Sequence, residues 1–136
     1  MTLSFWIDAA VRILAALWAG SIFAFAAWFA PHAFRTLPSR AEAAAFTRPV
    51  RERLERFGAY ACVLIALLLY YLGIRDGWWT LSRVRMGFAL LAAAAWLVHV
   101  WGVRPAMERA FSRTLHRWSE VLYAAALVGA VAVVAV

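Results

Sequence analysis

Five residues of this chain carry side chains suited to holding a metal ion or a haem. They are His32, His99 and His116 with their imidazoles, Cys62 with a thiol and Met107 with a thioether. Imidazole, thiolate and thioether together suit copper or another soft metal, and neutral imidazole also ligates haem iron. No two of them share a recognised ligand spacing such as His-x-x-x-His or Cys-x-x-Cys, so spacing alone does not join them into a site. The alternative keeps His32 and His116 as interfacial polar residues and gives His99 an interhelical hydrogen bond. Other chemistry finds less to work with. There is no Gly-rich phosphate loop, no pair of carboxylates inside an apolar run and no nucleophile elbow, which points away from nucleotide and hydrolase chemistry. Glu108 and Glu120 are the carboxylates nearest His116 in sequence, the raw material for a proton relay.

The elements that would position these residues are set by segregation of charge. Hydrophobic residues make up 66% of the 136 positions, mean hydropathy is +0.75, and the charged 15% sit in clusters between long uncharged runs. Ile13 to Phe34, Phe57 to Ile74, Met86 to Val103 and Val121 to Val136 are free of charge. At 1.5 Å rise per residue, a run of about 18 residues reaches about 27 Å, close to the hydrocarbon thickness of a bilayer. The pattern predicts an all-α integral membrane four-helix bundle, a single domain over 1–136 with spans at about 9–34, 57–74, 86–103 and 116–136. The first run lacks a basic leading segment and exceeds a signal-peptide core in length, so it is expected to be retained. Cys62 is the single cysteine, which excludes an intrachain disulfide.

All fourteen basic residues are Arg, and they flank the apolar runs, where lipid headgroups rather than nucleic acid are the expected partner. Ten of them fall in the links between spans one and two and between spans three and four. Four fall on the other side, so the positive-inside rule predicts cytoplasmic long links, N and C termini on the non-cytoplasmic side, and a bacterial inner (plasma) membrane location. In that topology His32, His99, His116, Cys62 and Met107 share a depth near the cytoplasmic end. Trp6, Trp78 and Trp79 are expected at the outer boundary and Trp28, Trp101 and Trp118 at the inner one, while Trp18 and Trp96 fall mid-span and are expected to pack between helices.

Local signals refine the links. Pro38 predicts the stop of the first helix, Ser39 a cap, Ala41 to Phe46 a short helix, and Pro49 the first turn of a new helix starting near Thr47 or Arg48. The spacings Arg48/Glu52 and Glu52/Arg56 predict a solvated charged face, and Asp8/Arg12 an ion pair, all at i, i+4. A kink is expected at Pro105. The patterns Ala16-x-x-x-Gly20-x-x-x-Ala24 and Ala125-x-x-x-Gly129 predict close helix approach.

Several short motifs resemble a known family. Ala30-Pro31 after a long apolar helix, Phe34-Arg35-Thr36-Leu37-Pro38, Arg104-Pro105 closing the third span, and Leu115-His116 with Ser119 opening the fourth are similar to transmembrane protein 205-like domains. That resemblance implies a small four-helix membrane domain, grouped with copper-resistance membrane proteins and, in eukaryotic members, with drug resistance. It carries over Arg35, Arg104 and His116 as motif positions. The family pattern often has an acidic residue where Arg104 stands and an Asn where Tyr123 stands. In outline the chain also resembles HemJ-type protoporphyrinogen oxidases, but those carry a histidine in the first helix near where Arg12 or Ile13 stands here. The expected function is therefore a non-enzymatic membrane protein for metal or small-molecule tolerance, or an accessory of a larger membrane complex. The alternatives are a metal- or haem-binding enzyme and a structural subunit. Expected partners are the bilayer and a homo-oligomer or larger assembly, and copper or haem is the cofactor such an enzyme would need.

Overall fold

The computed structural model describes residues 2–77, 80–110 and 112–136; the expectations for Trp78 and Trp79 lie outside the described residues. Four long helices account for nearly all of it, each long and apolar enough to cross a membrane. Helix α1 comprises Leu3–Phe23, a π-helical stretch Ala24–Phe29 and Ala30–Thr36. Helix α2 spans Arg40–Asp76, α3 comprises Thr80–Val98, a π-helical stretch His99–Val103 and Arg104–Arg109, and α4 spans Arg113–Ala135. Each helix packs on the next and α4 returns to α1, closing an up-and-down ring.

The helix ends follow from local chemistry. Leu37, extended at φ −84° and ψ 147°, ends α1 because Pro38 disfavours a helical residue before it. Ser39 then caps α2, its Oγ accepting from the Glu42 N–H at 3.2 Å. The expected break into a short helix and a new start near Thr47 or Arg48 does not occur: α2 runs unbroken through Pro49. The missing proline N–H costs one backbone bond, which a helix of this length with a buried apolar face tolerates. Gly77, at φ 86°, ends α2 in a conformation that side-chain-bearing residues rarely adopt.

Both π stretches stand directly before a proline at the second position of the segment that follows, Pro31 and Pro105. A proline ring clashes with the carbonyl four residues back. Widening the preceding turn to i, i+5 bonding removes the conflict, and the Ala30 N–H accordingly donates to Phe25 and the Arg104 N–H to His99. The disruption expected at Pro105 is therefore taken up by a π turn on its N-terminal side.

Burial follows a seven-residue repeat on every helix. The seams are Val11, Ala15, Trp18 and Ile22 on α1; Glu55, Gly58, Cys62, Ile65 and Leu69 on α2; Arg85, Ala89, Ala92, Trp96 and His99 on α3; and Ala126, Ala130 and Val133 on α4. Alternating steps of three and four residues keep one narrow face inward, as in left-handed bundles. Trp18 and Trp96 meet edge to face at the centre, ring centroids 5.7 Å apart, as their mid-span positions predict. Gly129 sits tight against α3, where an added Cβ would lie 2.7 Å from the Ala92 Cβ. Gly20, in the companion pattern on α1, has nothing within 4 Å and plays no such part. Outward faces carry Ile13, Leu17, Val63, Leu67, Leu91 and Val128, all exposed, as lipid-facing residues should be.

Candidate functional site: a polar-floored cavity

At the arginine-rich end the apolar seams turn polar. The α2 seam ends in Glu55, the α3 seam in His99, and the α4 seam extends through Tyr123 to Ser119, with the same three- and four-residue steps. Glu55 and His99 are 2% and 3% exposed. A carboxylate at that burial needs compensation, and Arg104 supplies it from α3. Its Nη1 donates to Glu55 Oε2, its Nη2 to Glu52 Oε1 at 3.2 Å and its Nε to Glu108 Oε1 at 3.1 Å. The π turn matters here: in i, i+5 register Arg104 follows His99 on one side of the helix, and both line the same cavity.

Packing fixes the two buried groups. The Trp96 indole N–H donates to the Glu55 carbonyl at 3.1 Å. His99 Nδ1 lies 3.3 Å from Ser119 Oγ, and the Tyr123 ring stands edge-on to the imidazole at 4.5 Å between centroids. Around them lies a cavity of about 550 Å³, with walls from all four helices. Ile22, Phe25 and Ala26 of α1 and Ala124 and Leu127 of α4 make it largely apolar. Phe23 lines it while remaining exposed on the outer face of α1, so the cavity reaches the lipid-facing surface between α1 and α4.

Four polar atoms around this space are buried without a hydrogen-bond partner: Glu55 Oε1, Arg51 Nε, His99 Nε2 and Tyr123 Oη. Arg51 Nε and His99 Nε2 each stand 3.8 Å from Glu55 Oε1, too far for a direct hydrogen bond and close enough for one small polar group to bridge. Native interiors rarely leave such groups unsatisfied, so these four atoms are the ones that a bound water or other polar group at the cavity would satisfy.

The residues singled out from sequence divide accordingly. His99 and Met107 line the cavity. His116 is exposed and pairs with Glu120 at 3.3 Å, His32 is exposed beside Trp28, and Cys62 is buried in the α2 seam; none of the three lines the cavity. Arg104 is central, whereas Arg35 is exposed at the end of α1. Among the described residues no three of His, Cys, Asp and Glu are grouped as a metal ion would need, and His99 with Met107 are the two candidate soft ligands that share the cavity. Sequence reasoning passed over Glu55, Arg51 and Tyr123. Arg48 and Glu52 do form the expected pair at 3.0 Å, but Glu52 also faces inward to Arg104.

The opposite end has its own polar tie. Asp8 pairs with Arg12 at 2.9 Å, as its spacing predicts, and also with the buried Arg85 of α3. Arg12 donates in turn to the Val134 carbonyl of α4. These bonds join α1, α3 and α4, so the two ends of the bundle are each locked by an arginine reaching across helices.

An up-and-down bundle of four membrane-length helices with a polar-floored cavity at one end defines a small multi-pass membrane domain. A model of the domain of unknown function DUF4149 matches residues 13–114, and the chain belongs to that family. The match assigns no activity, and it names neither a transmembrane protein 205-like relationship nor copper resistance. No curated protein and no solved structure matches the chain.

Proposed function

We propose that this protein holds an amphipathic small molecule at the arginine-rich end of a bacterial inner-membrane bundle, that end lying in the cytoplasm and both termini outside. The carrying observation is the cavity itself: apolar walls open toward lipid, and a buried Glu55–His99 floor with unsatisfied polar atoms. Ligand sites are typically concave and apolar with a few convergent polar groups, and about 300–1,000 Å³ in volume. This reading supports the small-molecule side of the tolerance role implied by the resemblance to transmembrane protein 205-like domains. A copper or haem role, as enzyme or not, draws on fewer of its expected ligands, since His32, Cys62 and His116 stand apart from the cavity. An accessory place in a larger assembly is compatible with the same site, the bundle then presenting the molecule to its neighbour.

The test places a polarity-sensitive fluorophore on Ala124→Cys, in a Cys62→Ala background, with the protein in lipid nanodiscs. Ala124 is exposed and borders the cavity, so a molecule entering there changes the label's surroundings. Saturable emission changes on adding octyl-chain amphiphiles are expected at Ala124, with none from a label at Val131 on the far part of α4. Equal, non-saturating changes at both positions would reject the proposal. For orientation, a reporter fused after Val136 should be active outside the cell, and cytoplasmic activity would reverse the topology.

A further inference from the structure

The pattern of charges and free valences in the cavity specifies the head of the molecule it takes. We infer that the ligand is an uncharged amphiphile bearing a hydroxyl on a ring, of the phenol or quinol class, an inference that rests on the cavity being a ligand site.

Charge excludes the simpler alternatives. Arg104 already faces three carboxylates, Glu55, Glu52 and Glu108, which offset its charge before any ligand arrives. The charged residues lining the cavity are Arg51 and Arg104 against Glu55, Glu108 and Glu120, while Glu52 behind them is shared between Arg48 and Arg104. An anionic head would enter a lining in which carboxylates outnumber arginines three to two. A cationic head at Glu55 Oε1 would stand beside the positive charges of Arg51 and Arg104, which repel it.

The free atoms point to a group that donates and accepts at once. Glu55 Oε1 can only accept, Arg51 Nε can only donate, and each lies 3.8 Å from the other. A hydroxyl does both with one atom: its proton goes to Glu55 Oε1 and its oxygen accepts from Arg51 Nε–H. His99 Nε2 stands at the same 3.8 Å from Glu55 Oε1 and can supply a second donor or acceptor, with Ser119 at Nδ1 accommodating either tautomer. Tyr123 Oη offers a further polar contact. The walls match what should follow the hydroxyl. Phe25 and Tyr123 present aromatic surface for a ring, and Ile22, Ala26 and Leu127 line the route of an alkyl chain toward the opening near Phe23.

The experiment titrates four probes with the same octyl chain into the Ala124-labelled protein in phosphatidylcholine nanodiscs, with empty nanodiscs subtracted. The probes are octylphenol, its methyl ether octylanisole, nonanoate and octyltrimethylammonium. Octylphenol is expected to bind at least about tenfold tighter than each of the others, because the ether keeps the shape but leaves Glu55 Oε1 without a donor. Arg51→Met should weaken octylphenol and octylanisole alike, severalfold, because both oxygens accept from Arg51 Nε–H, so the preference for the phenol persists; Arg104 still holds Glu55 in this variant. Equal affinity for phenol and ether, or tighter binding of either charged probe, overturns the inference while leaving the cavity a ligand site. Failure of all four probes to saturate overturns the ligand site with it.

Discussion

Replacing Gly58 by alanine should destabilise the bundle, although alanine is the better helix former. Gly58 lies on the α2 seam, and a Cβ there would stand 2.7 Å from Trp96 Cζ2 and nearer still to Nε1 and Cε2 of the same ring. The indole cannot swing away. It is fully buried, packs edge-on to Trp18 and is tied by its N–H to the Glu55 carbonyl. Alanine in place of glycine in a helix gains about 1 kcal/mol. Against that stand about 1–3 kcal/mol for overpacking a rigid core and about 1 kcal/mol for displacing the Trp96 hydrogen bond. The net expectation is a loss of about 1–3 kcal/mol. Gly20→Ala is the matched control: the site has open space around it, so the change should be neutral or stabilising by up to about 1 kcal/mol. Reversible unfolding in mixed micelles with increasing dodecyl sulfate measures both variants on one scale. Should Gly58→Ala prove as stable as Gly20→Ala, the α2–α3 seam is not where the structure has it, and the placement of Glu55 beneath Trp96 fails with it.

Three further outcomes follow from the polar ties. Arg104→Met should cost about 2–4 kcal/mol in the same assay, somewhat below the cost of breaking a fully buried pair because Arg104 is one-fifth exposed. Adding Glu55→Gln should recover most of it, since the amide removes the uncompensated charge. At the other end, Asp8→Asn leaves Arg85, whose side chain is 8% exposed, without its carboxylate; a loss of about 1–3 kcal/mol is expected, with Arg85→Met in the Asp8→Asn background restoring stability. Ser39→Ala removes the α2 cap and should cost about 1 kcal/mol, read as earlier proteolysis or faster hydrogen exchange confined to the first turn of α2.

Much of the fold is legible in the sequence because the bilayer imposes it. Charge-free runs of membrane length must become helices, since lipid offers no other partner for backbone groups. Pro38 and Ser39 mark the turn between α1 and α2, and the mid-span positions of Trp18 and Trp96 foretell their contact. Pro49 misleads, because a proline that suits a first turn is also tolerated inside a helix held by tertiary packing.

The cavity is harder to read, for a specific reason. Glu55 stands among Arg51, Glu52, Arg53 and Arg56, and local composition makes the segment look solvated. The signal against that is phase: stepping back from Leu69 through Ile65, Cys62 and Gly58 by alternating four and three residues arrives at Glu55. The same walk on α3 links Arg85 to His99. On α4 it links Val133 to Tyr123 and Ser119. Periodicity thus identifies each polar residue as seam-facing, but it does not reveal that Arg104 reaches Glu55. That pairing depends on the π turn before Pro105, which shifts the helical phase by one residue; the proline marks a disruption there but not the form it takes.

The central claim is that the arginine-rich end holds a small molecule between α1 and α4, and native mass spectrometry of protein released from its own membranes tests it most directly. The wild-type chain should carry a discrete small-molecule adduct. Ala26→Trp, which adds an indole to the α1 wall of the cavity and leaves Glu55 and Arg104 themselves unchanged, should lose the adduct while unfolding at the same dodecyl sulfate fraction as the wild type. A wild-type chain with no adduct, or an adduct retained undiminished by Ala26→Trp, would contradict the account.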